Sequence, residues 1–406
     1  MENLIDRNLF QLSGGEKQKV ACASVAVANP EIIVLDEPSS NLDFFSIMDL
    51  REILLEFKRQ GKTVIIAEHR LFYLDGLYDK IVNMKRGRIV SIENALNNKN
   101  RKYLKSYKFT TEEHNWDQGE KNIKRPASKM ELRACIEEII DGKAKEALTL
   151  NNSIDMNISF SNKCKETESY YEIKNLKFEY PDKKYGIDIE NLKIPKQSVT
   201  AIIGHNGVGK STLLRCLCGL EKKAKIKNKL DAFLVMQDVN CQFFTESVKE
   251  ELLLSMKNSK GSTDLVTKKD REEGKIGQDC IKQENCNAID KVLSDLDLAE
   301  YIDAHPLSLS GGQKQRLAIA SGLVAGREVF WLDEPTSGLD FSHMRQVAKV
   351  IRQVKESGNT LMIITHDFEF LAACCDNVIR MEDGRIVETY PLDEEHKEKL
   401  FSFLNL

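Results

Sequence analysis

The sequence predicts an α/β protein of mainly parallel sheets with flanking helices, written as one partial plus one complete copy of a single unit. Three observations predict it. The stretch "LSGGEKQKVACASVAVANPEIIVLDEPSSNLD" at 12–43 returns as "LSGGQKQRLAIASGLVAGREVFWLDEPTSGLD" at 309–340. The same offset of 297 carries Asp36 to Asp333, Glu37 to Glu334, Asp43 to Asp340, His69 to His366 and Gly87 to Gly384 without a gap. Short continuous apolar runs recur in both copies, "EIIVLDEP" and "KTVIIAEH" in the first, "EVFWLDEP" and "NTLMIITH" in the second. Such runs are the mark of strands buried on both faces. Between them lie segments such as "IMDLREILLEFKRQG", with apolar residues three and four apart and Gly61 as a stop. Strands alternating with helices in this way imply a mainly parallel sheet with covering helices.

Taken in chain order, residues 1–95 hold the first copy. Only eleven residues precede its "LSGG", whereas the second copy begins near "YYEIKNLKFEYPDKKYGIDIENL", far upstream of its own. The first copy therefore reads as a C-terminal half-domain, and Met1 as an internal methionine of a truncated product or fragment. Residues 96–168 form a polar linker rich in Lys, Asn and Glu. Within it "MELRACIEEIIDGKAKEAL" places Leu132, Ile136, Ile139 and Ala144 on one helical face, expected to dock on neighbouring domains. Residues 169–406 make the complete copy. A polar stretch at about 256–288 is expected to be a solvated, mobile insertion.

Composition narrows the class of function. A length of 406 residues suits two ordinary domains, and a net charge of -4 supplies no global basic field, so no nucleic-acid partner is expected. The ten cysteines fall irregularly, with Cys216 and Cys218 as a CxC, Cys374 adjacent to Cys375, and no CxxC. They read as reduced thiols packed as small apolar groups rather than a zinc or disulfide framework. No run of about 18 apolar residues exists to span a bilayer, and "MENLIDRNLF" lacks a secretory design. A role at a membrane would be peripheral.

The chemistry is concentrated in the second copy. "VTAIIGHNGVGKSTLL" matches GxxxxGK[ST] after an apolar strand and before a helix. Gly204, His205, Asn206, Gly207, Val208, Gly209, Lys210, Ser211 and Thr212 can then cradle phosphates. Glycines let backbone N–H groups turn inward, and the helix N-terminus adds its dipole. Lys210 supplies charge to the outer phosphates, and the Ser211 hydroxyl suits Mg²⁺. Asp333, ending a strand, is placed to hold the metal shell; Glu334 beside it can orient or deprotonate an attacking water. His366, ending the next strand, can contact the γ-phosphate. Gln237 in "FLVMQDVN" follows another apolar run, where it can sense metal and water. The first copy's Ser13, Gly14 and Gly15 open a helix, a ready anion site with no phosphate loop of its own.

This set resembles the nucleotide-binding domain of ABC ATPases: Walker A at 204–212, a Q-loop at Gln237, the LSGG signature at 309–312, Walker B at 329–334, a D-loop at 337–340, and a switch histidine at His366. The resemblance covers 12–90 and about 170–390. It implies ATP and Mg²⁺ as ligands, ATP hydrolysis, and a P-loop NTPase fold with a helical subdomain carrying the signature. An aromatic should stack on adenine; Tyr180 occupies the place, with Phe178 and Tyr185 close by. Head-to-tail pairing is implied as well, each ATP lying between one Walker A and the other signature. Ser13, Gly14 and Gly15 would thus cap the ATP held by Gly207, Gly209 and Lys210. A second site, with Ser310, Gly311, Gly312, Asp36, Glu37 and His69, would lack a phosphate-binding Lys. Pairing of two chains through their second copies, with Ser310 serving in trans, is the alternative.

The fused-pair layout and Glu68-His69-Arg70 resemble the tandem ATPases of energy-coupling factor transporters. The resemblance implies uptake of a vitamin or metal ion through separate integral membrane transport subunits, namely transmembrane coupling and substrate-binding components. The chain would then sit peripherally on the cytoplasmic face of the cell membrane. Two other functions stay open: a soluble tandem ABC ATPase acting on ribosomes, and a nonfunctional truncated product. Ribosomal tandem proteins resembling this one carry a long charged helical linker, and here "NNKN", "NWDQG" and "RPAS" interrupt that region.

Overall fold

A computed structural model describes residues 14–40, 42–85, 87–94, 128–153, 170–180, 186–221, 223–224, 230–257, 278–339 and 341–405. The chain folds as two compact units, Met1–Asn157 together with Asp393–Leu406, and Ile158–Leu392.

The first unit opens with α1 (Gly14–Val27), β1 (Ile32–Asp36), α2 (Phe44–Arg59) and β2 (Thr63–Ala67). Asp43 caps α2, its Oδ1 accepting from the Ser46 N–H at 2.7 Å. Phe44, Ile47, Leu50, Leu54 and Phe57 then recur at helical spacing and are all buried. Gly61, at φ +73°, turns the chain out of the helix. Strands β1 and β2 run parallel, in register from Ile32 opposite Thr63 to Asp36 opposite Ala67. Ile33, Val64 and Ile66 pack toward the α2 side, while Ile32, Val34 and Ile65 are exposed on the other face. A hairpin follows, β3 (Lys80–Lys85) and β4 (Arg88–Asn94), as a separate two-stranded ladder.

The polar linker contains α3 (Lys129–Ser153). Leu132, Ile136 and Ile140 form its buried stripe. Ile139, expected on that face, is half-buried instead, because a strict four-residue step from Ile136 lands on Ile140. The side chain of Ala144 lies outside the described residues.

In the second unit β5 (Tyr170–Glu179) and β6 (Gly186–Pro195) pair antiparallel. Then come β7 (Val199–Ile203), α4 (Lys210–Leu217), β8 (Ala232–Val235), α5 (Val248–Lys257), α6 (Gln278–Asp295) and α7 (Gly311–Val324). The unit finishes with β9 (Val329–Asp333), α8 (Phe341–Glu356), β10 (Thr360–Ile364), α9 (Phe368–Cys374), β11 (Asn377–Glu382) and β12 (Arg385–Pro391). A six-stranded sheet runs β12-β11-β7-β10-β9-β8, with every pairing parallel except β11 with β12. Strands β7 and β10 are buried along their whole length, as their unbroken apolar character requires. Residues 278–288 of the expected insertion are helical, in α6; residues 258–277 lie outside the described residues.

The 297-residue offset now relates structures as well as letters. It maps α1 onto α7, β1 onto β9, α2 onto α8, β2 onto β10 and the β3–β4 hairpin onto β11–β12, end to end. Even the register shift between Asn83 and Met84 recurs between Arg380 and Met381. One difference matters. In the second unit β7 stands between β10 and β11 and joins them into one sheet; among the described residues no strand stands between β2 and β3.

The last helix, α10 (Lys397–Leu404), belongs to the first unit. The sequence boundary of 169–406 places this tail with the second copy; its offset partners, residues 100–107, lie outside the described residues. Its Leu400, Phe401 and Leu404 are buried. Arg133 of α3 lies over the Phe401 ring at 4.5 Å and bonds Glu398 at 2.7 Å, and Lys397 bonds Asp141 at 2.7 Å. Half-exposed ion pairs contribute at most about 1 kcal/mol each. Each fully buried Leu or Phe contributes about 1.5–3 kcal/mol, so the apolar seam decides where the tail docks.

Candidate nucleotide site

Three parallel strands aim their carboxyl ends at one edge of the second unit's sheet. Ile364 of β10 stands opposite both Ile202 of β7 and Asp333 of β9. The 204–209 loop, the Asp333–Glu334 pair and His366 therefore leave the sheet side by side, at the edge where open α/β sheets bind ligands. Glycine is required at both ends of the loop. At Gly204 (φ +151°) a Cβ would lie 2.4 Å from the Met381 carbonyl oxygen, and Gly209 (φ +100°) caps α4 in a left-handed conformation. The turn folds over the buried Lys210, whose Nζ donates to the carbonyls of Gly204 at 2.8 Å and His205 at 2.9 Å.

Next in the chain, Ser211 acts on the Asp333 carboxyl as a hydrogen-bonding neighbour. Burial pushes the Asp333 carboxyl above its usual range, and the Ser211 hydrogen bond and the Lys210 charge pull it partly back. A hydroxyl and a carboxylate side by side are hard oxygen donors that fit Mg²⁺. Among the described residues no cluster of three or more His, Cys, Asp or Glu could hold a metal.

On the far side of Asp333, Glu334 adopts a left-handed backbone (φ +48°) and donates its N–H to the Ile364 carbonyl at 2.9 Å. Such a conformation costs a non-glycine residue about 1–3 kcal/mol, and it is met at functional sites. Its carboxylate meets His366 twice. Oε1 lies 3.3 Å from Nε2, and Oε2 accepts from the His366 N–H at 3.2 Å. Nε2 is also 3.1 Å from Asn206 Oδ1, which ties the imidazole to the phosphate loop. That histidine is buried, so the group is held in low dielectric, where charge interactions gain strength.

Of the aromatic candidates, Phe178 is buried in the core, and Tyr185 lies outside the described residues. Tyr180 is half-buried, packs edge-on against Phe178 at 4.9 Å, and sets its hydroxyl 3.3 Å from Thr212 Oγ1. Gln237 is exposed on the loop after β8, and Val235 opposite Leu332 brings that loop to the edge beside Asp333. Val208 packs partly buried against the core, while His205 and Gly207 complete the turn.

The signature turn is built separately. Ser310 caps α7 in a reciprocal box, its Oγ accepting from Gln313 N–H at 3.4 Å while Gln313 Oε1 accepts from Ser310 N–H at 2.8 Å. A Cβ at Gly311 would lie 3.1 Å from Leu339 Cδ2, and one at Gly312 3.2 Å from His343 Cδ2, so the turn before α8 and its first residues pack closely on these glycines. In the first unit Gly14 and Gly15 open α1; Ser13, like Asp340, lies outside the described residues.

The first unit repeats the carboxylate–imidazole pair. Asp36 ends β1, Glu37 adopts φ +43° and donates to the Ala67 carbonyl at 2.8 Å, and Glu37 Oε1 lies 3.2 Å from His69 Nε2. The pair is wetter: its side chains are 35% and 45% exposed, against 12% and 7% for Glu334 and His366. Motif spacing gave no role in the site to two residues here. Glu68 and Tyr73 form a hydrogen-bonded hub beneath His69, and the visible signal was their mismatch, in an aligned stretch, with Thr365 and Phe370.

The ABC transporter family matches residues 1–40 and 187–337. A protein of Treponema denticola described as an ABC transporter ATP-binding protein is 36% identical over 96% of this chain and 70% of its own length. A second from the same organism is 33% identical over 97% of this chain and 71% of its own. Among solved structures, a model of ribosome-bound archaeal Pelota and ABCE1 aligns with TM-score 0.63 and 24% identity over 99% of this chain and 60% of that one. The RNase-L Inhibitor aligns with TM-score 0.59 and 23% identity over 99% and 69%. At such identities these structures establish a shared fold.

Proposed function

The chain belongs to the ABC transporter ATP-binding proteins and is an ATPase of their P-loop α/β fold, and from that premise we propose that it powers an importer of the energy-coupling factor kind. Its cargo is a vitamin or a metal ion, moved through separate integral membrane coupling and substrate-binding subunits. The convergence of phosphate loop, Asp333, Glu334 and His366 on one sheet edge supports the ATPase engine, and the likeness to ABC transporter ATP-binding proteins supports its use in transport. Around it we assign residues 1–95 to the C-terminal half of a first nucleotide-binding domain and most of 169–406 to a second.

In this mechanism the loop amides from Gly204 to Gly209 and the Lys210 ammonium bind the phosphates, with Thr212 following on the helix and Tyr180 against adenine. Ser211, Asp333 and Gln237 would hold Mg²⁺, which when bound would supply positive charge to the phosphate oxygens. Glu334 Oε1 takes the proton of the attacking water, and His366 holds that carboxylate and steadies the γ-phosphate. Ser13, Gly14 and Gly15 would close over this ATP from the first copy, while Ser310, Gly311 and Gly312 would face Asp36, Glu37 and His69 in a second site.

Among the described residues no helix is long and apolar enough to cross a membrane, which suits separate membrane subunits and a peripheral place on the cytoplasmic face. The segment after Gln237, where Phe244 is 78% exposed, is the surface offered to them. The test has two parts. Lys210→Ala should abolish ATP turnover, and Ser13→Arg should impair turnover at the Lys210 site from the other copy. The wild-type chain should sediment with membranes carrying its partner subunits; sedimentation with ribosomes instead would overturn the transport proposal.

A further inference from the structure

Copy-to-copy comparison isolates one set of substitutions that acts as a group. In the second copy the chain after β10 reads Thr365-His366-Asp367, and each flank serves the following helix. Thr365 Oγ1 accepts from the Asp367 N–H at 3.0 Å, and Asp367 Oδ1 accepts from the Phe370 N–H at 3.1 Å, capping α9. In the first copy the same positions read Glu68-His69-Arg70, and the connections run the other way. Glu68 Oε1 accepts from the N–H groups of His69 at 2.7 Å and Arg70 at 3.0 Å. Its Oε2 accepts from the Ser39 N–H at 3.2 Å and the Tyr73 hydroxyl at 2.8 Å. Arg70 Nη1 donates to the Leu42 carbonyl at 3.4 Å. The turn carrying His69 is thus tied back to the loop that leads out of Glu37.

Chemistry explains why the substitutions go together. Tyr73 is 1% exposed, so its hydroxyl needs a partner; Phe370 at the matching position needs none. Burial first, and the Glu68 charge second, push the Tyr73 hydroxyl well above its usual range, so it remains a donor. A threonine in place of Glu68 could not reach four donors on three separate segments. A carboxylate, with two oxygens and four lone-pair sites, can.

We propose that Glu68 is the positioning residue of the first copy: one carboxylate latches the His69 turn to the Ser39–Leu42 loop and so fixes the Glu37–His69 pair. This rests on the assignment of that pair to nucleotide chemistry, but its test needs no nucleotide, so the two can fail separately. Amide hydrogen exchange and His69 ring signals in NMR spectra of the full chain read the latch. Glu68→Thr strands the Tyr73 hydroxyl and is expected to loosen the whole unit. Glu68→Thr with Tyr73→Phe recreates the second copy's chemistry and should recover thermal stability. The Ser39 amide should nonetheless exchange at least about tenfold faster than in wild type, and the His69 signals should shift. Glu68→Gln keeps one acceptor oxygen, so it should release Ser39 while His69 and Arg70 stay protected. Wild-type exchange at Ser39 and unshifted His69 signals in the double variant would overturn the proposal, leaving Glu68 as no more than a partner for Tyr73.

Discussion

Val34 and Trp331 occupy the same place in the two copies, on strands of equal length followed by the same Asp-Glu-Pro. Val34 is 70% exposed and Trp331 is fully buried. Nothing local distinguishes them: their strands, preceding helices and following turns superimpose by one offset, down to the left-handed Glu37 and Glu334. What differs is what lies over that face: Trp331 packs in one cluster with Leu176 of β5, Ile189 of β6 and Leu213 of α4, while Val34 is exposed beside Ile32 and Ile65. Where β7 bridges β10 and β11, six strands share one sheet with cover on both faces. Without a described strand in that place, β1–β2 and β3–β4 remain two ladders with apolar residues facing out. Local sequence thus determines which elements form, and a long-range partner determines whether they make a core.

The comparison can be broken or sharpened by experiment. Its largest expected effect is on stability. Trp331→Ala should cost about 3–5 kcal/mol through loss of burial and the cavity left behind, whereas Val34→Ala should change stability by no more than about 0.5 kcal/mol. Denaturant unfolding followed by circular dichroism measures both, and equal losses would mean that the Val34 face is covered. Next comes catalysis. Glu334→Gln should lower ATP turnover by about 10²–10³-fold while ATP binding is kept, and Glu37→Gln should change it less than about twofold. Phosphate release with parallel nucleotide-binding measurements checks this, and a matching loss from Glu37→Gln would make the copies functional equals. The smallest effect concerns the signature turn, where Ser310→Ala should cost about 1 kcal/mol by removing a helix cap, read as a lowered melting temperature.

Much of this was legible in the letters. Strand identity, parallel pairing and the phosphate loop followed from apolar runs, the repeat offset and the glycines at 204 and 209, because those features act within a few residues. The choice of Ile140 over Ile139 in α3 was legible only in part: the four-residue step from Leu132 through Ile136 points to Ile140, but a three-residue step to Ile139 fits a helical face as well. The resemblance put Tyr180 at the adenine place, but that Phe178 is buried and Tyr180 only half-buried depends on which side of the β5–β6 ladder faces the core, which the letters do not give. The Glu68 hub was visible only as a mismatch between copies; its meaning needed the positions of Ser39 and Tyr73, some thirty and five residues away in sequence.

The path of the tail has a practical corollary for anyone dissecting this polypeptide. Severing it after Leu392 would seem to liberate the second repeat cleanly, since every strand of its sheet lies upstream. Yet the discarded scrap belongs to the other half, where Phe401, Glu398 and Lys397 meet Arg133 and Asp141 of α3, and its removal would uncover that side of the helix. Damage inflicted at one extremity would surface as insolubility or cleavage at the opposite one.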